Sequence, residues 1–204
     1  MRLRKDMGLP MASELDRTGF HTIDLAGSSI FEVLVRHCKE DPWEQLISLS
    51  KSMPETTVRA GTRSNGIVTF GLTADSVMDL WVQRLSAHGV GSFWIYDGLF
   101  NIDKIGRLVK TVQAEGGQAL PCILYADTPY HTDEYYAART RELVATGADG
   151  YRTRGCRRPA DPRAHPLAHR GHQRCGRKPA GGGPFSQQQR ARAAELPGSR
   201  PSRR

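Results

Sequence analysis

The feature that most constrains this chain is an alternation of strand-like and helix-like segments at a spacing of about 30 residues. Residues 5–17 place Met7, Met11 and Leu15 four apart, the mark of one apolar helix face, and Thr18-Gly19 stops the helix. Phe20–Ala26 reads as a short strand ending at Gly27. Asp41 is the expected N-cap and Pro42 the first residue of a second helix, which carries Trp43, Leu46, Ile47 and Leu49 and ends before Pro54. A strand at Thr56–Ala60 precedes a helix at 74–87 with Val77, Leu80, Trp81 and Leu85 inward, closed by Gly89. Ser92-Phe-Trp-Ile-Tyr96 is nearly continuously apolar, as strands buried on both faces of a parallel sheet are. A helix at 102–115 (Ile102, Ile105, Leu108, Val109, Val112) closes at Gly116-Gly117. A strand at 119–125 leads into a helix at 132–146, and Gly147-Ala-Asp-Gly150 opens another strand.

Such βαβ units predict an α/β fold on a parallel sheet, either open and doubly wound or closed as a barrel. No Gly-x-Gly-x-x-Gly follows any strand, so the dinucleotide-binding version of the open sheet lacks its phosphate cradle. Polar residues gather instead just after the strands: Ser28 and Ser29; Arg63, Ser64 and Asn65; Asp97 and Asn101; Tyr125, Asp127 and Thr128. A barrel enzyme builds its site there, which favours the barrel.

Charge divides the chain in two. Residues 151–204 hold 14 of the 29 Lys and Arg but only Asp161 and Glu195 of the 21 acids, so the net charge of +8 belongs to the last quarter. Residues 1–150 are mildly acidic, with 15 basic and 19 acidic side chains. Cys38, Cys122, Cys156 and Cys175 form no close-spaced pair and give no support to a disulfide or a zinc site. No apolar run reaches the ~18–20 residues of a membrane span, and no apolar signal core follows Met1-Arg-Leu-Arg-Lys-Asp. A cytoplasmic protein with no membrane partner is expected.

Several strings are more specific than a pattern. Leu15–Gly27, Phe31-Glu32, Lys39-Glu-Asp-Pro-Trp-Glu-Gln-Leu46, Tyr130-His-Thr-Asp-Glu-Tyr-Tyr136 and Thr146-Gly-Ala-Asp149 resemble, in order, the carboxyltransferase domain of pyruvate carboxylase, the oxaloacetate decarboxylase alpha chain and the transcarboxylase 5S subunit. The resemblance implies a metal-dependent (β/α)₈ TIM barrel that moves CO₂ between carboxybiotin and a keto-acid enolate such as that of pyruvate. A divalent ion (Zn, Mn or Co) would stabilise the enolate charge, and an arginine can fork onto the substrate carboxylate. It also implies biotin on a carrier domain, with that carrier and a biotin carboxylase as partners.

Carried over residue by residue, the resemblance gives little chemistry. Arg63 stands at the family's substrate-binding arginine after its third strand and Asp97 at the aspartate after its fourth; Tyr125 is a candidate substrate wall. The usual arginine of the fourth strand reads Trp94, and the Asn-Asp pair expected beyond Asp97 reads Phe100-Asn101. The metal-binding aspartate of the first strand, the carboxylated lysine of the sixth and the His-x-His of the seventh have no counterpart. No catalytic residue, metal ligand or bound cofactor is therefore expected in this chain. His131 sits beside the expected N-cap Thr132, and His21 and His37 stand alone, which argues against ligand roles.

Residues 151–204 contain no Ile, Val or Met and only Leu167 and Leu196 among large aliphatics, so they cannot bury enough apolar surface to fold and are expected to be disordered. With only Tyr151 and Phe185 for stacking, a nucleic-acid arm is not favoured. Degenerate codons of Tyr151–Pro166, read one nucleotide downstream, permit Ile-Glu-Leu-Glu-Asp-Ala-Ala-Gly-Leu-Leu-Thr-Pro-Glu-Arg-Thr-Arg, and those of Gly182–Gln188 permit Glu-Val-His-Ser-His-Asn-Asn. These are the family's sixth and seventh strands in order, so the tail reads as out-of-frame after about residue 150. The expected domains are thus 1–150, a partial barrel of about strands 2–5 and helices 1–5, and 151–204, a basic tail. An open arc of strands should be marginal or aggregating and without carboxyltransferase activity. Two rivals remain: a metal-dependent aldol-type lyase on the same barrel, resembling hydroxymethylglutaryl-CoA lyase, and a basic-tailed nucleic-acid binder.

Overall fold

A computed structural model describes residues 4–67, 71–126 and 128–155. Helices and strands alternate: α1 (Lys5–Arg17), β1 (Thr22–Gly27), α2 (Ser28–Val33) continued by a π-helical turn (Leu34–Cys38), α3 (Pro42–Ser52), β2 (Thr57–Arg63), α4 (Asp75–Ala87), β3 (Val90–Tyr96), α5 (Ile102–Ala114), β4 (Gln118–Tyr125), α6 (Asp133–Ala145) and β5 (Arg152–Gly155). The five strands form one parallel sheet in the order β1-β2-β3-β4-β5. Sequential order without a reversal is the topology of a barrel arc and excludes the doubly wound alternative, whose strand order must switch. The strand opened by Gly147–Gly150 runs from Arg152 to Gly155, so the sheet extends a few residues past the expected boundary at 150. The rest of the basic tail, with its expected disorder, lies outside the described residues.

Alternation along the strands sorts the sheet into two faces. Val58, Ala60 and Thr62 of β2, Phe93 and Ile95 of β3, and Ala119 and Ile123 of β4 turn to the convex side and are buried. Helices α4 and α5 cover them with Met78, Val82, Leu85, Ile105, Leu108, Val109 and Val112, all fully buried. The opposite, concave side carries Asp24, Arg59, Arg63, Trp94, Tyr96, Cys122, Arg152 and Arg154, following the registers Asp24↔Arg59↔Ser92 and Tyr96↔Cys122↔Arg152.

Two helix faces depart from their sequence pattern. Met7 and Met11 of α1 are 54% and 46% exposed, and the buried residues are Gly8 and Ala12. Small residues let α1 settle closely on α3, which leaves the long methionines outside; only Leu15 of the expected stripe packs on the core. On α4, Trp81 and Leu85 are buried as expected, but Val77 and Leu80 are about half exposed and Met78 and Val82 take the inward positions. The inward stripe of α4 is rotated by one residue, because one row of apolar side chains on a helix does not say which row meets the sheet.

Local chemistry explains most boundaries. Asp41 accepts hydrogen bonds from the Trp43 and Glu44 amides (2.8 and 3.5 Å), capping α3 with Pro42 at its first position. Trp43 packs edge-on against Phe31 (4.7 Å) and Trp81 (5.6 Å), joining α2, α3 and α4. Asp16 accepts the Glu55 and Thr56 amides (3.1 and 2.7 Å), pinning the end of α1 to the start of β2. Gly89, at φ 101°, ends α4 in a backbone conformation an L side chain resists, and an added Cβ would sit 2.9 Å from that of Ser50.

Candidate functional site

The carboxyl ends of β2, β3 and β4 bring together two of the three residues singled out in the sequence. Arg63 is the last residue of β2 rather than the first of the loop, in register with Tyr96. Its guanidinium bends back over the following loop, with Cζ 3.6 Å from where a Cβ on Gly66 would lie. Asp97 follows β3 directly and is 3% exposed. One of its oxygens accepts a hydrogen bond from the Ser64 hydroxyl, the other the Leu99 amide at 2.7 Å. The Ser64 amide donates to the Tyr96 carbonyl at 2.9 Å, so the loops after β2 and β3 are tied at two points. This carboxylate fastens the rim that carries Arg63. Nothing in the sequence singled out Ser64 as its partner, because the contact crosses 33 residues.

Tyr125 ends β4 but sits on the helix side. Its ring stacks on Tyr136 of α6 at 5.3 Å, and the Tyr136 hydroxyl both donates to the Ala126 carbonyl (2.9 Å) and accepts from the Ala126 amide (2.8 Å). Thr132 caps α6 by accepting the Tyr135 amide at 3.3 Å, and His131 stacks on Tyr136 (5.9 Å) with its Nδ1 2.7 Å from the Thr128 hydroxyl. The Tyr130–Tyr136 string thus builds the start of α6. Thr146–Asp149 does similar work: Asp149 Oδ2 accepts the Ala119 amide at 2.8 Å, and its own amide donates to the Ala119 carbonyl.

The concave face holds a group that sequence reading passed over. Trp94 lies across Gly61, stacks on Tyr96 (5.0 Å, 22°) and is capped by the Arg154 guanidinium 4.5 Å above its ring. A Cβ at residue 61 would meet the indole at 2.7 Å, so this close crossing needs glycine. Below it Arg59 grips Asp24 through Nε–Oδ1 (2.6 Å) and Nη2–Oδ2 (3.2 Å). Cys122, buried between Tyr96 and Arg152 in register, has its thiol pushed up from 9.0 to about 11 by burial, against the opposing pull of Arg152 and Arg154. The period-two run Arg59-x-Gly61-x-Arg63 was the available signal that one face of β2 is polar.

No family model matches this chain. It is 31% identical over 148 residues to the 2-oxoglutarate carboxylase large subunit of Hydrogenobacter thermophilus, covering 72% of this chain and 23% of that protein. A pyruvate carboxylase subunit of Methanocaldococcus jannaschii is 28% identical over the same share of this chain and 26% of its own. The chain belongs to the pyruvate carboxylase carboxyltransferase family. The methylmalonyl-CoA carboxyltransferase 5S subunit of Propionibacterium freudenreichii is a further relative, 26% identical over 67% of this chain and 27% of its own. Among solved structures, the carboxyl transferase domain of Rhizobium etli pyruvate carboxylase superposes with a TM-score of 0.70, at 21% identity, over 75% of this chain and 28% of that domain's chain; this likeness concerns the fold, a parallel arc of a TIM barrel. The chain spans about a quarter of the length of these curated relatives.

The family implies a divalent ion. Among the described residues no three His, Cys, Asp or Glu side chains converge into a metal-binding group, and both oxygens of Asp97 are engaged, one by Ser64 of the loop after β2 and the other by the Leu99 amide of its own loop. The residues on this arc do not fit a metal centre. What the rim offers is a cation, Arg63, held by a fixed frame. Among the described residues no helix is long and apolar enough to cross a membrane.

Proposed function

We propose that the chain carries one arc of a biotin-dependent carboxyltransferase barrel, with Arg63 as the seat for the carboxylate of a keto acid such as pyruvate or oxaloacetate, and that alone it does not transfer CO₂. The observation that carries this reading is the 148-residue likeness to carboxylase subunits over an arc whose ordered rim presents Arg63 at the carboxyl end of β2. A complete relative would use a biotin carrier and a biotin carboxylase as partners, a metal supplied by other parts of the barrel, and the cytoplasm as its compartment. Asp97 positions this rim through Ser64 and Leu99 rather than meeting substrate.

The register of β5 supports the out-of-frame reading of the tail. Thr153 pairs with Ile123, on the side of the sheet that faces helices, while Arg152 and Arg154 take the other. The shifted reading puts Leu in place of Thr153 and Glu in place of both arginines, which gives the helix-facing position of the strand the apolar side chain that its partner Ile123 has. Sequencing codons 140–205 and assaying the product test the proposal. The chain as it stands is expected to form no oxaloacetate from pyruvate and carboxybiotin with Mn²⁺ or Zn²⁺, and the nucleotides read one base downstream after about codon 150 to encode Ile-Glu-Leu-Glu-Asp and, further on, His-Ser-His. Turnover by the chain, or a locus without the downstream reading, would overturn it.

A further inference from the structure

The connection between β3 and α5, residues 97–101, contains a backbone conformation that its sequence resists. Phe100 sits at φ 55°, in the left-handed region that bulky L side chains avoid and that Gly or Asn takes at little cost. The turn itself does not need a phenyl ring. Its hydrogen bonds come from other groups: the Leu99 amide donates to the Asp97 carboxylate, the Phe100 amide to the Asp97 carbonyl at 3.2 Å, and the Lys104 amide to the Asn101 side chain at 3.1 Å. Strain of this kind persists only where the surroundings enforce it.

Here the enforcing contact is the ring. Phe100 is half-buried and packs on the core, while its neighbour Leu99 is 90% exposed. Arg139 of α6 lays its guanidinium over the Phe100 ring, 5.2 Å from the centroid, and over that of Tyr135 at 5.3 Å. Glu142 accepts from the same guanidinium at 2.7 Å. Close by on α6, the Tyr136 hydroxyl holds the backbone of Ala126. Three successive loops are thereby joined: Ser64 after β2 to Asp97 after β3, Phe100 after β3 to α6, and α6 to Ala126 after β4.

We propose that Phe100 is a positioning residue for the rim that carries Arg63. Clamped beneath Arg139, its ring keeps residues 97–100 on the path that sets the Leu99 amide against Asp97. The other oxygen of Asp97 then stays on Ser64, the residue next to Arg63. Without the ring, nothing favours this path over the others open to the turn, and the carboxylate loses its frame. Arg63 must then be ordered by whatever binds it, which costs affinity. The geometry stands by itself; its consequence for a ligand rests on the reading of Arg63 as the seat of a keto-acid carboxylate.

Amide hydrogen exchange on the full chain, followed by NMR, tests the proposal. Phe100→Gly leaves the turn accessible and removes the ring. It should speed exchange of the Leu99 and Ser64 amides about tenfold or more, while Phe93 and Ile95 on β3 keep their rates. Phe100→Tyr should keep the wild-type pattern. Ser64 is the decisive probe, because it lies on another loop and its amide donates to the Tyr96 carbonyl. Faster exchange at Leu99 alone would confine Phe100 to its own loop; unchanged or slower exchange at both amides would mean that the turn merely tolerates phenylalanine. Either result overturns the proposal. If Phe100→Gly speeds exchange throughout β3, Arg139→Met, which removes only the overlying guanidinium, decides by the same two amides. Pyruvate titrated into the same samples should bind Phe100→Gly about threefold more weakly than wild type, or worse. Equal affinity, in a chain where Arg63→Gln abolishes binding, would overturn the positioning role. A wild-type chain indifferent to pyruvate, or one whose affinity survives Arg63→Gln, would sink the keto-acid seat instead, and the exchange rates then judge Phe100 alone.

Discussion

The two faces of the one sheet contrast more than any two segments of the chain. Phe93 and Trp94 are neighbours on β3, yet Phe93 is fully buried against the helices, while Trp94 lies half-buried on the concave side between Gly61, Tyr96 and Arg154. The convex face is a finished core, closed by α4 and α5. The concave face is an assembly of arginines, aromatics and one carboxylate that waits on the curvature of the sheet. The difference teaches that this arc owes its stability to the helix-covered layer, and that whatever chemistry the fold supports is arranged on the other.

The largest test of that contrast is Phe93→Ala, which should cost about 3–5 kcal/mol in urea unfolding, the range for deleting a packed aromatic. A loss comparable to that of Trp94→Ala would erase the distinction between the faces. Second is the alkaline limb of stability. The buried Cys122 keeps its proton up to about pH 11, whereas the unfolded thiol loses it near 9.0, so the folded state binds the extra proton across this window. Stability is then fully present below about pH 9 and falls as pH rises through the window, by about 1.4 kcal/mol per unit. Cys122→Ala should flatten this slope; an unchanged slope would mean that the thiol is not enclosed on the concave side. Third, Trp94→Ala should cost about 1–2 kcal/mol, the scale of a ring stack plus a cation–π contact. The smallest effect is that of Arg154→Ala, at about 1 kcal/mol or less, read from the unfolding midpoint and from quenching of Trp94 fluorescence.

The strings that made the family legible in the sequence turn out to be instructions for building. Glu40–Glu44 caps α3 through Asp41 and supplies Trp43 to the aromatic joint; Thr132 and Tyr136 start α6 and tie it to β4; Asp149 docks onto the first residues of β4. Their contacts are short in sequence or fix one element's end, so a reader of the chain meets them as capping residues and turns. The candidate site was legible in part. Arg63 and Asp97 do converge at strand ends, but the hydroxyl of Ser64 that fastens Asp97 and the Trp94–Arg154 stack join residues 33 and 60 positions apart, and no local pattern announces such pairs.

By itself the sequence determined the strand–helix alternation, the helix ends at Asp41, Gly89 and Thr132, the parallel sheet and the family, because each rests on periodicity, backbone conformation or a contiguous motif. Only the tertiary structure decided which stripe of α1 and α4 is inward, and that Asp97 ties the loop after β2 to the loop after β3 through Ser64. Those outcomes depend on which surfaces meet once the helices lie against the sheet, a matter of shape and close packing that a linear pattern does not specify.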